Sequence, residues 1–253
     1  MGIDPTAPEM TLLLVMLHTG TMLAVIVYFW RAWRRRYFSS RARVLLATKE
    51  VVLATAITGL VGLALLELIE RVILSGSARS EVEHLFGNSY LIATGLAAAG
   101  LLILLSARTP MATDAPAIVS FRGAAWIGAV QGLCLPFRGF SRSGATISTG
   151  LLLGLNKERV EEFSFALVLV LTPAVIVREG YRLFKAHAGN LATGASAVDL
   201  VLPSLLGMVL SFAVGLFALH WLSRWLERGR WQLFGYYCLL AAIAVLAVER
   251  FAR

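Results

Sequence analysis

The chain has 253 residues, of which 58% are hydrophobic and only 15% are charged, and its mean hydropathy is +0.76. This composition excludes an ordinary soluble domain and predicts a polytopic membrane protein whose first partner is the lipid bilayer. A net charge of +8 would suggest nucleic acid for a soluble protein, but here the basic residues gather between apolar runs, so we expect no nucleic-acid partner.

The first half of the chain contains three predicted membrane-spanning helices, at about residues 10–30, 50–69 and 91–105. An arginine-rich segment separates the first two spans, and the positive-inside rule places it in the cytoplasm. Its basic residues are Arg31, Arg34, Arg35, Arg36, Arg41, Arg43 and Lys49. The N-terminus and the mixed-charge loop after the second span are therefore expected outside.

Two shorter apolar runs follow, at residues 124–135 and 147–155, and each is too short to cross a bilayer alone. The stretch PFRGFSRSGATISTG, residues 136–150, brings two arginines into this otherwise apolar region. We predict a re-entrant helical hairpin that enters and leaves on the cytoplasmic side. An arginine at membrane depth costs about 2.5 to 3.5 kcal/mol on insertion scales, so both arginines are expected to face a wet cavity or an anion.

The loop of this hairpin has the composition of a phosphate site. Hydroxyls can bind phosphate oxygens, glycines let the backbone approach a ligand, and a helix expected to start near Ala145 would offer free N–H groups and a positive dipole end. Arg142 can add a two-pronged contact. In the alternative interpretation the loop has only a structural role, with Ser143 as a helix N-cap and the glycines allowing close helix packing. That interpretation does not explain the two arginines. The residues concerned are Arg138, Gly139, Ser141, Arg142, Ser143, Gly144 and Thr146.

The remaining chain supplies three more predicted spans, at about residues 163–183, 201–222 and 233–248. Three arginines keep the last inter-span loop inside the cell: Arg224, Arg228 and Arg230. Arg178 near the end of the fourth span is expected to reach for the interface rather than for a bound anion. Acidic residues are expected in loops, so no carboxylate cage for a metal is visible.

Three spans, a hairpin that does not cross and three further spans predict an inverted-topology repeat. The whole chain, residues 1–253, is then one all-α membrane domain, with a first repeat at 1–107 and a second at 122–253. Ala24-Val25-Ile26-Val27 recurs as Ala174-Val175-Ile176-Val177. At this offset a partner for the hairpin would fall mostly before Met1, so half of a two-hairpin site is expected to be missing.

The motif residues resemble the undecaprenyl-diphosphate phosphatase family, also called bacitracin-resistance proteins, and the likeness covers essentially the whole chain. The family pattern P-G-x-S-R-S-G-A-T is similar to Gly139 and to the run Ser141 to Thr146. Further similarity lies in Leu151-Leu152-Leu153-Gly154, in Glu162-Phe163-Ser164-Phe165 and in LHTGTMLAVIVYFWR of the first span. The resemblance implies an all-helical inverted-repeat fold with two opposed hairpins.

The resemblance also implies an activity and a location. The family hydrolyses a polyprenyl diphosphate to the monophosphate carrier lipid at the outer side of the bacterial cytoplasmic (inner) membrane. This reaction serves peptidoglycan synthesis, and it underlies bacitracin resistance.

Three departures from the family pattern stand out. The family's N-terminal hairpin, with paired glutamates and a serine-rich stretch ending in Gly-His, has no counterpart after Met1, which leaves general acid–base groups unaccounted for. Position 138 is arginine where the family usually has proline. Tyr236-Tyr237 replaces a common Tyr-Arg, and Arg138 is expected to compensate for that lost arginine.

The leading interpretation is therefore an integral-membrane phosphatase acting on undecaprenyl diphosphate. Its catalytic candidates are Ser141, Arg142, Ser143 and Thr146, and its phosphate-binding candidates are Arg138, Gly139, Arg142 and Gly144. The sequence does not choose among the hydroxyls, and it does not indicate an oligomeric state. A divalent cation such as Mg²⁺ or Ca²⁺ is compatible with the chemistry. The alternative is a non-catalytic binder or transporter of polyprenyl phosphate, which the missing glutamates favour.

The cysteines and histidines indicate no metal-binding residues. Cys134 and Cys238 both lie in apolar runs. The four histidines, His18, His84, His187 and His220, have no ligand spacing.

Overall fold

The computed structural model describes residues 8–72, 88–109, 119–189 and 197–252, which fold into eight α-helices and no strand. The helices are α1 (Pro8–Arg36), α2 (Arg41–Val72), α3 (Ser89–Ala107), α4 (Phe121–Cys134), α5 (Arg142–Leu152), α6 (Lys157–Gly189), α7 (Ala197–Glu227) and α8 (Gln232–Ala252). The prediction of an all-α protein is confirmed.

Six helices among these residues are long and apolar enough to cross a membrane, which confirms the predicted number of spans. They are Leu12–Arg36, Arg41–Ile69, Ser89–Ala107, Lys157–Arg178, Leu202–Glu227 and Gln232–Phe251. The first two helices extend further than predicted, so that most of the arginine-rich segment is helical and only residues 37–40 join α1 to α2. Arginine and lysine are good helix formers, and a helix can carry them beyond the apolar layer.

The chain divides into two compact units, and each draws on both halves of the sequence. One unit combines Met1–Ser39 with Phe165–Ser223. Its core is an aromatic stack in which the Phe29 ring lies 5.6 Å from that of Trp33 and 5.2 Å from that of Phe165. Stacked rings at this spacing add to the free energy of simple burial. The proposed inverted repeat stays a prediction.

The other unit combines Ser40–Ser164 with Arg224–Arg253 and contains the candidate site. In it, α2 and α4 run parallel, because Ala54 meets Gly128 and Val61 meets Gly132 further along both helices. The α3 helix runs antiparallel to α8, since the Ser89 hydroxyl donates to Glu249 Oε2 at 2.8 Å and Gly100 lies against Gly235. Small residues let these backbones approach closely, as is common between membrane helices.

Candidate functional site

The site is built on a helical hairpin formed by α4 and α5. These helices have 14 and 11 residues, which correspond to about 21 Å and about 16 Å, well short of a bilayer core of about 30 Å. The two helices pack against each other, and Gly123 near the start of α4 lies close to Leu155 just beyond α5. Both open ends of the hairpin therefore lie together, and residues 135–141, the hairpin tip, lie at the other end.

A tight turn shapes the hairpin tip. The Phe140 N–H donates to the Phe137 carbonyl at 3.2 Å, and Gly139 at the third turn position has φ of 88°. A positive φ at that position is the mark of a type II turn and favours glycine. Arg138 occupies the second position, where proline is common, and its side chain is exposed. The turn thus tolerates arginine here and directs its charge outward.

The helix after the turn begins at Arg142 and not near Ala145 as predicted. Ser141 is its N-cap, because Ser141 Oγ accepts a hydrogen bond of 3.2 Å from the Gly144 N–H, while the Ala145 N–H donates to the Ser141 carbonyl at 2.8 Å. The helix geometry leaves the N–H groups of Arg142 and Ser143 without intrahelical acceptors. The two open donors and the positive end of the helix dipole therefore lie at the hairpin tip.

Arg142 places a full charge at the same point. Its side chain is half-buried and lies near the thiol of Cys134 at the end of α4. Among the described residues the structure gives its guanidinium no carboxylate partner. A partly buried charge without a counter-ion is costly, so this arrangement favours a bound anion.

The three candidate hydroxyls have different surroundings. Ser141 is used as the N-cap. Thr146 is fully buried, donates to the Arg142 carbonyl at 2.8 Å and lies 2.6 Å from the Ser164 hydroxyl. Ser143 is half-buried in the first turn of α5, and its hydroxyl has no hydrogen-bond partner in the described part of the chain. Of the three, only Ser143 has a hydroxyl that no other described residue engages.

Helix α3 supports the hairpin tip from one side. Ile92 lies against Gly139, and Ile103 lies against Gly144, so α3 and α5 run in the same direction. The tip meets the first third of α3, at Ile92 and Gly95, and the helix then continues to Ala107. This contact sets how deep the tip lies along a helix of membrane-spanning length.

Three buried carboxylates were missed by the expectation that acidic residues lie in loops. Glu50, Glu161 and Glu162 are only 3%, 4% and 5% exposed. The α6 helix runs antiparallel to α5, because Val160 lies against Gly150 and Ser164 meets Thr146, so the two α6 glutamates lie toward the end of α5.

Glu50 precedes Ala54 by one turn and so lies toward the start of α4. All three carboxylates are thus near the open end of the hairpin and away from its tip. A glutamate pair between apolar residues, as at 160–163, was the available sequence signal.

The other candidate positions lie elsewhere. Arg178 is exposed on α6, in the unit that does not contain the hairpin. Tyr236 and Tyr237 are 53% and 68% exposed on α8, beside the middle of α3. In the described part of the chain, no group of three His, Cys, Asp or Glu side chains could hold a metal ion.

Comparison with known proteins identifies the family. The family model for the bacitracin resistance protein BacA matches residues 1–244. Undecaprenyl-diphosphatase 2 of Acinetobacter baylyi is 57% identical over 249 residues, which cover 98% of this chain and 87% of that protein.

Two Burkholderia relatives are more distant. Undecaprenyl-diphosphatase 2 of Burkholderia orbicola is 33% identical, and Undecaprenyl-diphosphatase 1 of Burkholderia pseudomallei is 34% identical, each over 97% of this chain and 84% of the relative. The chain therefore belongs to the BacA family of bacitracin resistance proteins.

Proposed function

We propose that this protein is an integral-membrane phosphatase that converts undecaprenyl diphosphate to undecaprenyl phosphate, and that the hairpin tip holds the diphosphate. The observation that carries the proposal is the Arg142 guanidinium at the open N-terminus of α5, where no carboxylate of the described residues pairs with it. Guanidinium forks and free helix N–H groups are the two protein devices best suited to phosphate oxygens. The family relationship and the named relatives agree with this chemistry.

The reaction breaks the bond between the bridging oxygen and the terminal phosphorus. A new P–O bond forms to water, which releases inorganic phosphate and leaves undecaprenyl phosphate in the membrane. Such a transfer depends mainly on positioning and on neutralising charge in the transition state. We assign charge neutralisation to Arg142 and the α5 N–H groups, and phosphate contact to the Ser143 hydroxyl, which has no hydrogen-bond partner among the described residues. Ser141 and Thr146 hold the loop through the hydrogen bonds already described.

The site is proposed to open to the outer face of the bacterial cytoplasmic membrane. The arginine-rich segment at the α1–α2 turn marks the cytoplasmic side, so α3 starts at the outer side. The hairpin tip meets α3 at Gly95, six residues after Ser89 and therefore about 9 Å from that end. The open end of the hairpin then faces the cytoplasm, which supports a re-entrant arrangement.

A second candidate function is a non-catalytic binder or transporter of polyprenyl phosphate. The observation in its favour is that the buried carboxylates Glu50, Glu161 and Glu162 lie away from the hairpin tip. A binder needs the anion site alone, whereas general acid–base catalysis typically contributes about 10²- to 10⁴-fold to the rate. Turnover therefore distinguishes the two functions.

The test is phosphate release from farnesyl diphosphate and from a longer polyprenyl diphosphate by the purified protein. Arg142→Lys should lower kcat/KM by roughly 10- to 100-fold, because a point charge cannot replace the two-pronged contact. Arg178→Lys is the matched control, since Arg178 is exposed and outside the hairpin unit, and it should change little. If the wild type bound the substrate without releasing phosphate, the protein would be a binder and not a phosphatase. Equal losses of kcat/KM in both variants would show that Arg142 does not neutralise the phosphate charge.

A further inference from the structure

The hairpin tip lies against α3 at two glycines, where Gly95 meets only main-chain atoms of the tip and Gly139 meets the main chain and the side chain of Ile92. A Cβ atom placed on Gly95 would lie 2.9 Å from both the Arg138 carbonyl oxygen and the Phe140 amide nitrogen. A Cβ atom placed on Gly139 would lie against the carbonyl oxygen of Ile92. Neither position can accept a side chain unless one backbone moves, because ordinary Cβ contacts begin near 3.4 Å. The turn therefore lies directly on the helix.

The atoms that meet Gly95 belong to the turn that leads into the phosphate site. The Phe140 N–H closes this turn on the Phe137 carbonyl, and the next residue, Ser141, caps α5. Arg142 follows immediately. Only two peptide units separate the contact at Phe140 from Arg142, so a displacement of the turn must shift the cap and the first N–H groups of α5.

We propose that Gly95 is a positioning residue for the phosphate site, and that it acts through the Arg138–Phe140 backbone to place Arg142 and the open end of α5. The proposal rests on the function proposed above for the hairpin tip. A methyl group at position 95 requires a movement of about half an ångström, and misplacing a catalytic group by about 1 Å can cost on the order of 100-fold in rate. Side-chain rotation cannot relieve the clash, because both contacted atoms are main-chain atoms.

The variant Gly95→Ala has a close control on the same helix. A Cβ atom on Gly100 would also lie 2.9 Å from a backbone oxygen, that of Gly235, but this contact is between α3 and α8 and does not involve the hairpin tip. Gly100→Ala should therefore destabilise the protein as Gly95→Ala does, by adding a methyl group at a close backbone contact of α3, but without displacing the hairpin tip. Gly59→Ala, where a Cβ atom meets nothing within 4 Å, gives the uncrowded reference.

We expect Gly95→Ala to lower kcat for farnesyl diphosphate by roughly 10- to 100-fold while KM changes by less than about threefold, because displaced donors lose most against transition-state charge. Gly100→Ala should lose a similar amount of thermal stability and keep kcat within about threefold of wild type. Equal losses of kcat in the two variants would show that Gly95 is only a packing residue and would overturn the proposal.

A second measurement does not depend on turnover. Hydrogen–deuterium exchange of peptides covering residues 137–144 should accelerate in Gly95→Ala and not in Gly100→Ala, since only the former disturbs the Phe140 amide. If the wild type releases no phosphate but exchange still separates the variants, the proposed function fails and the positioning role stands.

Should Gly95→Ala fail to fold, Ile92→Ala replaces it. This variant removes a side chain that lies near Gly139 and introduces no clash. Unchanged exchange of the tip in Ile92→Ala would refute the role of α3 in holding it.

Discussion

Ser141, Ser143 and Thr146 lie within six residues of one another at the hairpin tip and the start of α5, but their hydroxyls have different surroundings. The position at which α5 begins determines those surroundings. Ser141 precedes the first helical residue and so becomes the cap, whereas Thr146 lies one turn inside and bonds to the Arg142 carbonyl and to Ser164. The Ser143 hydroxyl has no partner within the part of the chain that the structure describes. The sequence predicted all of these residues as candidates but could not rank them, because the helix was expected to start three residues later.

Replacing Ser143 should affect phosphate release, whereas replacing Thr146 should affect the stability of the fold. Ser143→Ala should lower phosphate release with little change in Tm, since this hydroxyl has no partner among the described residues. Thr146→Val should cost about 1 to 3 kcal/mol of folding free energy, because it leaves the buried Ser164 hydroxyl without its 2.6 Å partner. Thermal melting in detergent gives the second quantity, with Ser164→Ala and the double variant completing the cycle. A Tm loss for Ser143→Ala as large as that for Thr146→Val would contradict this assignment.

At the scale of the helices, α2 and α4 pack more closely than their sequences suggest. The Thr58 hydroxyl donates to the Gly128 carbonyl at 2.9 Å, and a Cβ atom on Gly128 would lie against the Ala54 carbonyl oxygen. Close backbone approach with hydroxyl bonds across the interface is how membrane helices associate where lipid offers no hydrophobic advantage. This contact fixes the first arm of the hairpin onto a membrane-spanning helix.

Gly128→Ala should therefore destabilise the protein by about 1 to 3 kcal/mol, because α2 and α4 must move apart to admit a methyl group. Gly59→Ala is the control on α2, where a Cβ atom meets nothing within 4 Å and alanine should gain up to about 1 kcal/mol of helix propensity. The midpoint of thermal or denaturant unfolding in one detergent checks both. An unchanged unfolding midpoint in Gly128→Ala would show that α2 and α4 can move apart at little cost in stability.

For the molecule as a whole, the number of spans and the short hairpin could be predicted from the lengths of the apolar runs. Bilayer thickness sets the length of apolar run that a membrane-spanning helix needs. Helix ends did not follow, because α2 starts at Arg41 and the basic and acidic residues in its first ten positions interrupt the apolar run there. The burial of Glu161 and Glu162 left only the weak signal of a glutamate pair between apolar residues, because it depends on α6 lying against α5. Contacts between distant segments, such as Gly95 with the hairpin tip, leave no mark in a single sequence.

The orientation of the molecule can be tested by single-cysteine labelling in intact cells. Both native cysteines are buried, so the background should be low. Ser39→Cys, in the short exposed turn after α1, should resist a membrane-impermeant maleimide. Ser77→Cys should react, because its mixed-charge segment, which lies outside the described residues, is predicted from the sequence to be external. Labelling of the first site alone would invert the topology and move the proposed opening of the phosphate site to the cytoplasm.

The meeting of the hairpin tip with the first third of α3 bears on how the enzyme finds its substrate. A site about 9 Å from the start of α3 lies within the length of a helix long enough to span the membrane, so a polyprenyl diphosphate is expected to react while its tail stays in the leaflet. The encounter is then lateral diffusion in two dimensions. Under such surface-dilution kinetics, the rate follows the mole fraction of substrate among the lipids, and adding inert phospholipid slows turnover even when the bulk substrate concentration is constant.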